Sequence, residues 1–442
     1  MSARCFTLST KSVGQTGCRV KDVRTMFADT RPLQTLAFRR LWWTNIITVI
    51  GAQLTVVAVP AQIYAETNSS AYVGLTGVFG LVPLVIFGLY GGALADVMDR
   101  RRLLLISTVG LIASSAMFFA QAAFHANNVW LLLVLFAVQQ SFFAVNQPTR
   151  SAILPRLIPL TELPAANSLN MTVMQFGAIA GPLVGGALIP VLGFSLLYLI
   201  DTITLFATLW AVFVLPALPP EGLAATAKAG IASVLDGLGY LRGHKVLLMS
   251  FLVDIIAMVF GMPRALFPQI AHQSFGGPSD GGLAFALLFA AIPAGAVLGG
   301  IFSGWVSRVE RQGVAVIAAI VVWGAGMVVF GLASGAAGGH ANVFLVLALG
   351  GLMVGGAADM ASAAFRSTML QEAATDDVRG RLQGVFTVVV AGGPRLADVA
   401  HGGMAAVVGT AATAAGGGVL VIVLVLVAAA AVPVFIRYRV AR

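Results

Sequence analysis

A chain of 442 residues with 59% apolar and only 10% charged side chains, at a mean hydropathy of +0.94, does not read as a soluble protein. Soluble domains carry about 25% charged residues. The net charge of +9 and pI near 10.1 invite a nucleic-acid reading, but the placement of the cations assigns them to a membrane surface instead.

Residues 1–25 hold both cysteines, Cys5 and Cys18, and no apolar stretch of the signal-peptide kind. No disulfide is expected of them on the reducing side of a membrane. Residues 30–40 predict a short interfacial helix. A spanning helix needs roughly 20 residues, and twelve such runs follow: 40–64, 71–95, 103–124, 129–149, 166–190, 194–215, 246–272, 281–305, 312–334, 341–365, 381–408 and 414–436. The runs are continuous rather than alternating, which excludes transmembrane β-strands. The predicted fold is all-α integral membrane, with twelve transmembrane helices in two six-helix bundles. The longest loop, 216–245, makes the division. Residues 1–38 then form an N-terminal tail and interfacial helix, 39–215 the first bundle, 216–245 a linker, 246–436 the second bundle and 437–442 a tail.

Lys and Arg alternate strictly from loop to loop. Arg39 and Arg40 precede the first span, Arg100 to Arg102 follow the second, and Arg150 and Arg156 follow the fourth. Lys228, Arg242 and Lys245 separate the bundles, Arg308 and Arg311 follow the eighth span, Arg379 and Arg381 precede the eleventh, and Arg437, Arg439 and Arg442 end the chain. The intervening loops, 65–70, 125–128, 191–193, 273–280, 335–340 and 409–413, hold no Lys or Arg. By the positive-inside rule both termini are expected in the cytoplasm, with the basic rim on anionic lipid heads. Nucleic acid is not an expected partner.

The two halves echo one another. Gly91-Gly92 followed by Arg100 recurs 208 residues on as Gly299-Gly300 followed by Arg308, and Gly181-Pro182 has a counterpart in Gly393-Pro394. Parallel repeats of this kind bind substrate between them, near the midplane. The fifth span carries Gly177, Gly181, Gly185 and Gly186 with Pro182, a flat small-residue face and a bend. Charges inside spans are expensive and usually functional. Asp254 and Arg264 lie in the seventh span, Asp359 in the tenth, and Arg395, Asp398 and His401 along one face of the eleventh. Proton or substrate work is expected of Asp254 and Asp359. Arg395 and Asp398 admit either that role or a static ion pair. Asp201 in the sixth span reads as structural, and His401, beside Gly402-Gly403, as a packing or capping residue. No phosphate-binding loop with its Lys occurs, and the five histidines lie on separate segments without metal spacing. No enzyme site, cofactor or metal is expected.

The segment Gly92 to Arg102, with Asp96 and the run Arg100, Arg101, Arg102, resembles the loop between the second and third helices of major facilitator transporters. The glycine pattern of the fifth span resembles the antiporter motif of that superfamily's exporters. The family's basic residue after the Asp is here Val97, and its glycine is Asp99. A family arginine of the fourth span would fall near Phe136, where only Gln139 and Gln140 are polar. Segments Val57-Ala-Val-Pro-Ala-Gln-Ile63, Leu215-Pro-Ala-Leu-Pro-Pro220, Arg264-Ala-Leu-Phe-Pro268, Ala291-Ile-Pro-Ala-Gly-Ala296 and Gly380-Arg-Leu-Gln-Gly384 are similar to a siderophore-exporting branch. The resemblance implies a monomeric secondary exporter in a bacterial inner membrane. It would move a siderophore or similar amphipathic small molecule outward by proton antiport and alternating access. It further implies a latch between Asp96 and the start of the eleventh helix, near Gly380 or Arg381. Multidrug or macrolide efflux is the alternative transport reading, and a membrane sensor or assembly factor without flux the alternative of another class.

Overall fold

A computed structural model describes residues 29–219, 239, 243–373 and 376–439, with the side chains at 89, 91–93, 95–97, 307 and 371–391 left aside. The helices are α1 (Leu36–Thr67), α2 (Ser70–Val97), α3 (Arg100–Ala123), α4 (Val129–Leu157), α5 (Leu163–Phe213), α6 (Lys245–Gly261), α7 (Phe267–Gln273), α8 (Leu283–Ile301), α9 (Gln312–Ala336), α10 (Val343–Ala373), α11 (Asp376–Val408), α12 (Thr410–Ala431) and α13 (Pro433–Ile436). Ten helices among the described residues are long and apolar enough to cross a membrane. One of these is really two. At about 1.5 Å per residue the 51 residues of α5 exceed twice a ~30 Å hydrocarbon core, and they bend at Gly193, whose φ of +70° only glycine adopts freely. The 33 residues of α11 supply the remaining crossing.

Turn chemistry sets the short connections. Asn68 ends α1 in the left-handed conformation, Ser69 caps α2 by accepting from Ala71 N, and Asn128 caps α4 by accepting from Trp130 N and Leu131 N. Asp99, where the resembling family has glycine, caps α3 through Arg102 N (3.1 Å) and also accepts from Leu218 N (3.0 Å). One carboxylate therefore starts a helix and ties down the chain that leaves the first bundle.

Several predicted boundaries move, each for a local reason. Arg100 to Arg102 form the first turn of α3 rather than a loop, because Asp99 offsets their unfavourable place at a helix N-terminus. The interfacial helix is only a 3-10 turn at Arg31–Gln34, and residues 36–40 already belong to α1. The seventh span breaks into α6, a 3-10 turn at Arg264–Leu266 and α7, since Pro263 and Pro268 lack N–H donors. Pro433 likewise splits the last span into α12 and α13. The tail 1–28, linker residues 220–238 and 240–242, and the Asp96 latch onto Gly380 or Arg381 fall outside what is described, as does the Gly92 surface.

The two halves pack by the same scheme: α1 on α5 and α6 on α11, α2 on α4 and α8 on α10, α3 on the far part of α5 and α9 on α12. Two seams join them, α2 with α11 and α5 with α8. The glycines of the fifth span explain both kinds of contact. A Cβ at Gly177 would meet Val49, one at Gly181 would meet Gln53, and one at Gly185 would touch Leu54, all on α1, whereas one at Gly186 would strike the Ala286 backbone of α8. The small face allows close approach within the bundle and, at its last position, across the seam.

Candidate functional site: a charged cavity between the halves

The described seam contacts concentrate towards the face whose loops lack Lys and Arg. There Ser70 Oγ donates to Gln269 Oε1 (2.6 Å), and Gly282 N donates to Gly186 O (2.9 Å). The Gly74 and Gly402 backbones touch, and the Tyr64 and His272 rings meet edge-on at 6.0 Å. Towards the basic face the same helices carry runs of exposed residues. Val85, Ile86 and Phe87 of α2 are exposed in succession, and Met171, Met174 and Phe176 of α5 are exposed as well. A helix that met only lipid there would expose one stripe, not consecutive residues. Among the described residues the molecule is sealed on the neutral side and open towards the basic side.

Beneath the seal lies a cavity of about 100 Å³, lined by Pro60 of α1, Thr76 of α2, Phe136 of α4, Phe289 of α8, Arg264 and the pair Arg395 and Asp398 of α11, among others. Three of the five interior charges singled out in the sequence therefore meet in one place. Arg264 arrives on the 3-10 turn after the Pro263 break, which swings its side chain out of the helical register. Arg395 spans the seam: its Nη2 donates to Gln140 Oε1 of α4 (3.2 Å), and its guanidinium lies 5.1 Å from the Phe136 ring centroid. The fourth-span positions that lack the family arginine thus receive one from the opposite half. Asp398 is buried at 9% exposure and within electrostatic reach of both guanidiniums. Two cations and one anion leave the cavity with a net positive charge.

The other two candidates lie elsewhere. Asp254 on α6 pairs with Arg366 of α10, Nη1 to Oδ2 at 2.5 Å, both almost fully buried. Arg366 also donates from Nε to Ser362 Oγ (3.2 Å), while Asp254 Oδ1 has no protein donor. Asp359, half-buried and two turns before Arg366 on α10, feels both charges. Arg366 lies just past the apolar run 341–365 that marks the tenth span in the sequence. The helix runs eight residues further, to Ala373. An Asp254 in need of a cation was the available signal. In the first half Asp201 Oδ2 accepts from Thr55 (2.7 Å) and Ser115 (2.9 Å), tying α1 and α3 to the far part of α5. That contact agrees with a structural reading. Among the described residues no group of three His, Cys, Asp or Glu is placed to hold a metal ion.

Two pseudo-repeated helical halves enclosing a charged cavity within the membrane are the architecture of a membrane transporter. The sequence profile of the Major Facilitator Superfamily matches residues 41–397, and the chain belongs to that superfamily. An enterobactin exporter, EntS, of Shigella boydii serotype 18 (strain CDC 3083-94 / BS512) is 27% identical over 379 residues, 84% of this chain and 86% of that protein. Among solved structures, the nucleoside transporter NupG is similar with a TM-score of 0.70 at 14% identity, over 91% of this chain and 99% of the other. A bacterial homologue of the human lysosomal transporter Spinster, inward-facing and unoccupied, gives a TM-score of 0.67 at 16% identity over 92% and 98%. At such identities these two structures speak for the fold alone.

Proposed function

We propose that this protein exports an anionic, amphipathic small molecule, of the catecholate siderophore class, from a bacterial cytoplasm across the inner membrane in exchange for protons. The single observation that carries the reading is the cavity between the halves, where Arg264 and Arg395 face Asp398 beside Phe136 and Phe289. Catecholates bring negative charge for the guanidiniums, flat rings for the aromatic side chains and hydroxyl donors for the carboxylate. Antiport requires that substrate and proton compete. A catechol hydroxyl donating to Asp398 and a proton bound to Asp398 exclude each other, so one site serves both ligands. Asp359 and the Asp254–Arg366 pair supply further groups through which protons bias the second bundle. The positive-inside rule puts the basic face in the cytoplasm, so the conformation described loads from inside. The resemblance to exporters in the fifth span and the EntS relatives support the outward direction.

The test is uptake into everted membrane vesicles energised by a pH gradient, with a labelled catecholate siderophore beside a lipophilic cationic dye. Siderophore uptake that collapses with a protonophore is expected. The cavity wall of Val56, Val59, Pro60 and Val73 favours a second reading, broad drug efflux, and dye uptake without siderophore uptake would establish it. No flux of either would remove the siderophore assignment.

A further inference from the structure

α6 stops at Gly261, because Pro263 has no N–H with which to continue the ladder, and helical structure resumes only at the turn Arg264–Leu266. The carbonyls of Phe260 and Met262 project from this break. His401 of α11 closes it from the side: its Nδ1 lies 3.0 Å from Met262 O and its Nε2 3.0 Å from Phe260 O, with the residue 4% exposed. Carbonyl oxygens only accept. A neutral imidazole owns one N–H, so it satisfies one contact and turns a nitrogen lone pair towards the other oxygen, whereas the imidazolium donates to both. Desolvation works against the cation. Two charge-assisted bonds and the carbonyl-rich end of α6 work for it.

We propose that His401 is a proton-binding residue of the transport cycle, and that its doubly protonated ring pins α11 to the break in the seventh span and so holds the outer side shut. The elements it joins are those that carry the outer seal. Gly402, the next residue, packs on Gly74 of α2, and Gln269, in α7 just beyond the break, holds Ser70. The charged groups facing the ring are few. Asp398 and Arg395 lie one and two turns back on α11, Arg264 stands on the break, and Asp254 on α6 is engaged by Arg366. α12, whose Gly417 backs the ring, has no ionisable residue from Thr410 to Ala431, and the outer half of α2 offers only Tyr72. The place of this residue in the cycle rests on the proton-antiport reading; its two-carbonyl geometry does not. A proton arriving from outside would close the outer side behind it, and its loss to the cytoplasm would free the break to open again.

The sign follows from linkage. Closing takes up a proton, so the closed-to-open ratio falls with rising pH, by up to about tenfold per unit between the ring's two midpoints. The test uses the full chain in lipid nanodiscs, with Cys5 and Cys18 replaced by Ser and spin labels at Asn127→Cys and Ala341→Cys, exposed positions on outer loops of opposite halves. The short inter-label distance should dominate at the acid end of a pH series and give way to a longer one at the alkaline end, as the ring loses its proton. His401→Gln, whose amide donates only from its nitrogen, should flatten that change. An unchanged midpoint and amplitude in His401→Gln would overturn the proposal. So would nitrogen NMR of the wild-type ring showing one neutral tautomer across the range, a readout that needs no variant to fold. Vesicle flux indifferent to the pH gradient would defeat antiport while leaving the distance titration intact. A flat wild-type titration beside proton-driven flux would defeat His401 alone.

Discussion

The two bundles share a packing scheme and differ in what they bury. Inside the first, Asp201 is met by two hydroxyls, Arg150 donates to Leu41 O (3.4 Å), and Gln62 bonds Glu66, Gln121 and Tyr198 towards the end whose loops lack Lys and Arg. Inside the second lie Arg264, Arg366, Arg395, Asp254, Asp359, Asp398 and His401. A buried charge persists in a membrane only when paired or functional, so the asymmetry separates a comparatively neutral supporting half from a half that carries the electrostatics. The first bundle nonetheless completes the cavity, through Phe136, Gln140 and Thr76.

The harshest way to break that asymmetry is Arg366→Ala. It strands Asp254 without a cation and should cost about 3–5 kcal/mol, read as a large loss of thermal stability in detergent. Asp359→Asn should leave stability unchanged and remove gradient-driven transport; wild-type coupling in that variant would strike Asp359 from the mechanism. Next in size, Arg264→Gln and Arg395→Gln should each raise the KM for a catecholate about ten- to a hundredfold, the worth of one charge-assisted bond. Equal KM values for wild type and both variants would mean the anion binds elsewhere. In the neutral half Asp201→Asn keeps an acceptor for Thr55 and Ser115, so about 1 kcal/mol of stability is at stake. Its pH profile of transport should match wild type, and a shifted profile would show that the first bundle titrates too. The smallest change is Ser70→Ala. It loses the bond to Gln269 and should shift the outer gate towards open by about five- to tenfold, equivalent to about 1 kcal/mol, measurable with the same pair of spin labels.

Much of this was legible in the residues themselves. Twelve apolar runs and alternating basic loops follow from the cost of placing polar groups in hydrocarbon, a local property that needs no partner. The fifth-span glycines announced close packing, and the rarity of intramembrane charge marked Asp254, Arg264, Asp359, Arg395 and Asp398 for attention. Which of them meet was not legible, because spacing along one helix says nothing of what faces it from another. Asp398 and Arg264 converge only because Pro263 breaks the seventh span. Arg395 reaches Gln140 only because α11 crosses α2 beside α4. Arg366 escaped notice because a charge at the edge of an apolar run reads as the helix end until Asp254 is seen opposite it. His401 read as packing, since its significance lies in two carbonyls more than a hundred residues away in the chain. That this chain crosses a membrane many times in two related halves is written in residue order alone, since hydration free energy acts residue by residue. Which charges line a cavity, which form a buried pair and which close a broken helix emerges only on packing, since electrostatic partnership depends on distances between helices.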